Sequence, residues 1–109
     1  MATAKDIIET QIPGKLQEKP ELAKEINAII HFDVSGEGGG KWTLDTTKPE
    51  GWVSEGHNGA SKMTVSVSND DFVKIREGKL NPQMAAMSGK LKFKPMDMGL
   101  AMKLAKLLS

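Results

Sequence analysis

The stretch "GEGGGKW" at residues 36–42 has the composition most suggestive of chemistry, because successive glycines can wrap backbone N–H groups around a phosphate. The spacing does not support that use. A phosphate loop needs a glycine further upstream than Gly36, and Trp42 stands where Ser or Thr would hold a magnesium ion. The dinucleotide pattern fails as well, since its third glycine would fall at Lys41. A hairpin turn is expected there. His31 and His57, with no cysteine in the chain and no paired ligand spacing, read as a strand-face and a loop imidazole, so no metal site is expected. Asp70 and Asp71 read as charges that complement a helix N-terminus. No serine sits in a nucleophile elbow. The expectation is a protein with no catalytic residue, no cofactor and no enzymatic activity.

Methionine is the residue type left to explain, because five of the seven lie in the last 26 residues. If Asp97 caps a final helix, rotation by about 100° per residue groups Leu100, Leu104, Leu107 and Leu108 on one arc. Met98 and Met102 then fall on nearly the opposite side, with Ala101 and Ala105 between the two groups and Lys103 and Lys106 in the remaining wedge. The leucines suit a core. Methionine fills irregular gaps and often does no more than that. Here Met84 and Met87, three apart on a neighbouring short helix, add a second flexible apolar face, and aromatics make up only 5% of the chain. Soft side chains converging from two helices suit a pocket for a variable apolar guest, or else a surface buried against another protein.

The elements that must position these residues follow from periodicity and caps. Thr3 followed by Asp6 predicts a capped helix carrying Ile7, Ile8 and Ile12, interrupted at Pro13-Gly14. A second short helix is expected to open at Pro20. Alternation of Ile26, Ala28, Ile30, Phe32 and Val34 with Asn27, His31 and Asp33 predicts a half-buried strand from 26 to 34. "KWTLD" pairs with it as a hairpin, "GWVSEG" forms a short third strand, and an Asn58-Gly59 turn leads into "SKMTVSVS". In that fourth strand Thr64, Ser66 and Ser68 leave one sheet face wet. Ser68 and Asp71 open a helix carrying Phe72, Val73 and Ile75, which Gly78 stops. Asn81-Pro82 opens another, which Gly89 ends. Leu91 and Phe93 alternate with Lys90, Lys92 and Lys94 in a fifth strand. Five strands with helices over one face make a layered α+β domain.

A chain of 109 residues accommodates one core and no second domain. Its 15 basic and 14 acidic residues leave a net charge of +1, read as a dispersed balance with no footprint for nucleic acid or an anionic membrane. With no charged n-region before an apolar h-region and no run of 18 apolar residues, neither a secretory signal nor a membrane span is expected, and Leu107-Leu108-Ser109 does not read as a peroxisomal address. The absence of cysteine suits a reducing compartment. A cytoplasmic location is expected.

Three stretches in order carry a family resemblance, "INAIIHFDVSGEGGGKWTLD", "NDDFVKIREGKL" and "NPQMAAMSGKLKFKPMDMGLAMKL", most specifically at Asp71-Phe72, "GKLNPQ", "SGKLK" and "MGLAMKL". Together they resemble the sterol carrier protein type 2 (SCP-2) domain family over nearly the entire chain. The resemblance implies a five-stranded, mostly antiparallel sheet with one face covered by four or five helices, and a hydrophobic tunnel between the layers. Residues 1–109 would then be one lipid-binding domain. It would bind and transfer fatty acid, fatty acyl-CoA, phospholipid or sterol without catalysis, as a monomer with transient membrane contact. The alternatives are a dimerisation module burying the Met-rich surface, or an accessory domain of a lipid-metabolising enzyme. Phe32, Phe72, Gln83, Met84, Met87, Phe93, Met98 and Met102 are the implied lipid-binding residues, with the Gln83 amide suited to a ligand head group. Two departures from the family pattern bear on ligand choice. Ala86-Met87 replaces an aromatic pair, which should widen the cavity, and "FKPMD" is one residue longer than usual, with Pro95 affecting how the last helix docks.

Overall fold

A five-stranded sheet in the order β3-β2-β1-β4-β5 forms the floor of the molecule, in a computed structural model that describes residues 3–49, 51–94 and 97–108. The strands are β1 (Ile29–Ser35), β2 (Gly40–Asp45), β3 (Val53–Glu55), β4 (Met63–Ser68) and β5 (Leu91–Lys94). Only the central β1–β4 pair is parallel. The register sets Phe32 between Trp42 and Val65, and Ile30 between Leu44 and Met63, so alternate residues of every long strand point to one face. That face is apolar and buried through to Leu91 and Phe93 on the edge. The glycines at 36–40 serve the β1–β2 turn. Gly36 and Gly38 adopt left-handed φ values of 87° and 86°, and a side chain at Gly39 would collide with the Val34 carbonyl.

Helices cover this face. The first runs as α1 (Ala4–Asp6), a π-helical segment (Ile7–Gln11) and α2 (Ile12–Glu18), followed by α3 (Pro20–Ile26). The expected interruption at Pro13 does not occur. Proline lacks an N–H and its ring crowds the carbonyl one turn back; the wider π turn, closed by Ile12 N–H to Ile7 O, lies immediately upstream and lets the helix continue through Pro13. Ile7, Ile8, Ile12 and Leu16 are all within 1% of complete burial. Further on come α4 (Asn69–Arg76), α5 (Pro82–Met87) and α6 (Met98–Leu108). The Thr3, Ser68 and Asn81 side chains cap α1, α4 and α5 as expected. Ala4 N–H donates to Asn69 Oδ1 at 2.8 Å and Arg76 Nε to Gln11 Oε1 at 2.9 Å, tying the first helix to α4.

Two other expectations are corrected. The strand predicted from residue 26 begins at Ile29, because Asn27 turns left-handed at φ 41° and caps α3 through its N–H to Ala23 O. The sheet face expected to be wet is partly covered. His31 and Thr43 are buried under the 56–58 loop, where Thr43 Oγ1 donates to Gly56 O and accepts from Asn58 N–H. His31 and His57, read as isolated, stack there with ring centroids 4.4 Å apart. Each Nε2 donates to a backbone carbonyl, that of Asn58 and that of Phe32. The described residues contain no group of three or more His, Cys, Asp or Glu side chains placed to hold a metal. Pro95 and Met96, on which the docking expectation for the last helix rests, lie outside the described residues.

Candidate functional site

Helix α6 is held by one face only. Asp97 Oδ1 accepts from Leu100 N–H at 3.1 Å. Leu100, Leu104, Leu107 and Leu108 are buried on the side where α6 packs against α2 and α3. Two lysines reinforce the seat: Lys103 Nζ donates to Glu25 O at 3.0 Å and Lys15 Nζ to Lys106 O at 2.8 Å. Burial, followed by the nearby charges of Arg76 and Lys19, pulls the Lys15 pKa below its ordinary 10.5. The opposite face of α6 leaves Met98 66% and Met102 50% exposed.

Helix α5 is too short to close over that face. Asn81 Oδ1 accepts from the N–H groups of Gln83 and Met84, and Pro82 occupies the first turn where no N–H is required. Within the helix only Ala85 is buried; it seats α5 beside β5, while Met84 and Met87 remain 67% and 87% exposed. Between α5, β5 and α6 lies an open groove of about 780 Å³. Phe93, Ala86, Ala101 and Ala105 contribute ring and small side chains, Met87, Met98 and Met102 flexible ones, and Asn81, Gln83 and Lys106 the polar border. The space exists because three alanines face it where larger side chains would fill it. Its volume is in the range of small-molecule sites, roughly 300–1,000 Å³, and its lining carries no carboxylate or imidazole.

The structure brings Gln83, Met87, Phe93, Met98 and Met102 together on this groove. Met84 shares α5 but is not part of the lining. Phe32 and Phe72 lie elsewhere: on the central strand and on α4 they meet edge to face at 6.1 Å, almost wholly buried, as packing of the core. Their aromatic type suited a tunnel, but their elements lie away from the β5 edge where the space is. Asn81, Pro82 and Lys106 border the groove without having been singled out by sequence. The cap at Asn81 and the position of Lys106, one turn beyond Met102, were the signals available. A second cleft of about 610 Å³ lies between the first helix and β3, lined by Glu9, Gln17, Trp52 and Glu55 among others. Glu9 Oε2 accepts there from Trp42 Nε1 at 2.8 Å. Its carboxylates make it the less suitable place for an apolar guest.

Comparison with known proteins agrees with this architecture. A family model described as the SCP-2 sterol transfer family matches residues 8–109. Human hydroxysteroid dehydrogenase-like protein 2 is 46% identical over 90 residues, covering 82% of this chain and 21% of that protein. The chain thus spans about a fifth of the length of the curated relatives it matches. The solution structure of sterol carrier protein domain 2 of Helicoverpa armigera superposes with a TM-score of 0.77 at 28% identity, covering 98% of this chain and 90% of that one. Sterol carrier protein 2 of Aedes aegypti, in complex with the C16 fatty acid palmitate, has a TM-score of 0.76 with 100% and 97% coverage. At 17% identity that likeness concerns the fold.

Proposed function

This chain belongs to the SCP-2 sterol transfer family, and from that premise we propose that the groove between α5, β5 and α6 binds the hydrocarbon part of a lipid, as the carrier step of lipid transfer. The observation that carries the reading is an apolar groove of about 780 Å³ walled by three methionines and floored by Phe93 and alanines. The palmitate held by the same fold in the Aedes aegypti protein supports a fatty acyl chain as ligand. Each methylene taken from water contributes about 0.8 kcal/mol, and thioether side chains rearrange around chains of differing shape. Gln83, whose side chain makes no hydrogen bond among the described residues, is available to donate to a carboxylate, thioester or hydroxyl head group.

The protein acts without chemistry of its own in this reading, since the groove border offers amides and one ammonium but no acid–base pair. The match to part of a dehydrogenase-like protein supports a role in presenting lipid to an enzyme unit. Native mass spectrometry of the protein as purified, followed by displacement of a fluorescent fatty acid, tests the proposal. Co-purified lipid and saturable one-to-one displacement are expected from a monomer. Empty protein that binds no acyl ligand at any accessible concentration, and that dimerises through the methionines, would replace the carrier with an interaction module.

A further inference from the structure

We propose that His31 and His57 form a pH-operated latch, which holds the 56–61 loop against the sheet while the pair carries at most one added proton and releases it when both imidazoles are charged. The two rings stack with centroids 4.4 Å apart and planes 13° from parallel. His31 comes from the central strand and is 8% exposed, whereas His57 comes from the loop and is exposed. Their hydrogen bonds are reciprocal: His31 Nε2 donates to Asn58 O on the loop at 3.2 Å, and His57 Nε2 to Phe32 O on the strand at 3.0 Å. A carbonyl oxygen only accepts, so in each neutral ring the proton sits on Nε2 and Nδ1 keeps the lone pair. An added proton therefore goes to Nδ1, and both hydrogen bonds survive the first one. The second sets two cations face to face.

The loop has little else to hold it. Residues 57–60 are all exposed, and Gly56 and Ser61 are half-buried, so the seat is polar. Gly56 N–H donates to Lys41 O, Thr43 Oγ1 donates to Gly56 O and accepts from Asn58 N–H, and Asn58 Nδ2 donates to Ser54 Oγ and Glu55 O. Gly56 and Gly59, at φ 82° and 71°, bracket the His57-Asn58 pair, and a Cβ at either would meet open space. A segment with few buried apolar contacts opens locally at low cost.

Strand register identifies the charges that face the pair. The row through His31 runs Ser54, Thr43, His31, Thr64, Lys94 across the five strands, with no carboxylate in it. Asp33, two residues along β1, stands opposite Lys41. Asp45 on β2 accepts from the N–H and hydroxyl of Thr47. Lys62, just before β4, and Lys92 on β5 share this face of the sheet with Lys94, and residues 56–61 contain no charged residue apart from His57. Same-face neighbours along a strand are about 7 Å apart, farther than the 4.4 Å between the rings. Repulsion inside the pair thus exceeds the pull of Asp33, which Lys41 also offsets. The open loop binds more protons than the latched one, so falling pH favours opening. Histidine titrates between about pH 5 and 8, and acidification therefore uncovers His31 and Thr43 without touching the apolar layer on the other face. The groove lies on that other face, so the latch is independent of the carrier reading.

NMR of the imidazole Cε1–H groups from about pH 8 to about pH 4.5, with amide hydrogen exchange at both ends of the range, tests the latch. The rings should titrate in two steps at least about one pH unit apart. Protection of the amides at 56–59, corrected for the intrinsic pH dependence of exchange, should fall at least about tenfold across the second step, while the amides of β4 keep theirs. His57→Gln, at an exposed site, retains an N–H donor but takes up no proton; its loop protection should change by less than about twofold over the same range. One shared titration step, loop protection that does not change with pH, loss of loop and β4 protection together, or a wild-type pH response in His57→Gln would each overturn the proposal.

Discussion

The helix over residues 4–18 and the α5–α6 pair are both apolar, yet they use that property in opposite ways. The first presents Ile7, Ile8, Ile12 and Leu16, and each is essentially sealed from solvent. The second presents leucines inward and leaves four methionines 50% to 87% exposed, three of them around a groove. Branched side chains with few rotamers lock two elements together. Unbranched thioethers beside alanines leave a surface that can close on itself or open for a guest. Sealing and adaptability are thus assigned to different helices, and α6 carries both, one on each face.

Truncation gives the sharpest contrast. Leu104→Ala or Ile8→Ala, at fully buried sites, should cost about 2–5 kcal/mol of unfolding free energy, whereas Met98→Ala should stay within about 0.5 kcal/mol. Denaturant midpoints with unchanged slopes measure both, and similar losses at Leu104 and Met98 would erase the distinction. Filling the groove comes next. Ala105→Phe should lower fatty-acid affinity at least about tenfold by isothermal titration while leaving the thermal midpoint within a few degrees. Chain length follows: each methylene removed from a saturated fatty acid should weaken binding about two- to fourfold, the range for half to full burial. A flat profile would mean that the hydrocarbon lies outside.

The smallest effect concerns the α2–α6 contact. Burial, then Arg76 and Lys19, lower the Lys15 pKa, so between that lowered value and 10.5 the unfolded chain binds more protons than the folded one. The cost of the charged amine is fully present below this window, and stability rises with pH across it. Thermal midpoints from about pH 8 to about pH 10 should therefore favour wild type progressively over Lys15→Met; an unchanged difference would contradict the assignment.

Local signals were legible in the sequence because their physics is local. Thr3, Ser68 and Asn81 cap helices through oxygens two or three residues from the N–H groups they serve, and the alternation in 63–68 directly sets the side of the sheet. The Leu and Met faces of α6 followed from helical geometry. Where a tertiary contact decides, sequence reasoning failed. Ile26 and Ala28 fit a strand alternation equally well, and only the left-handed Asn27 separates helix from strand. Pro13 signalled a break that the π turn avoids. His31 and His57 are 26 positions apart in the chain and meet only because a loop folds over the sheet. The family resemblance pointed to Phe32 and Phe72 as lipid-binding, but sheet order sets Phe32 on the central strand, and the Phe72 ring on α4 meets it there in the core.

Methyl resonances of methionine labelled with ¹³C, followed while palmitate is titrated in, test the central claim most directly. The signals of Met87, Met98 and Met102 should shift together and saturate, while Met63, fully buried in β4, stays in place as an internal control. Shifts that centre on Met63, or a titration that leaves the three groove methionines unmoved while the ligand binds, would contradict the assignment of the lipid site to the α5–β5–α6 groove.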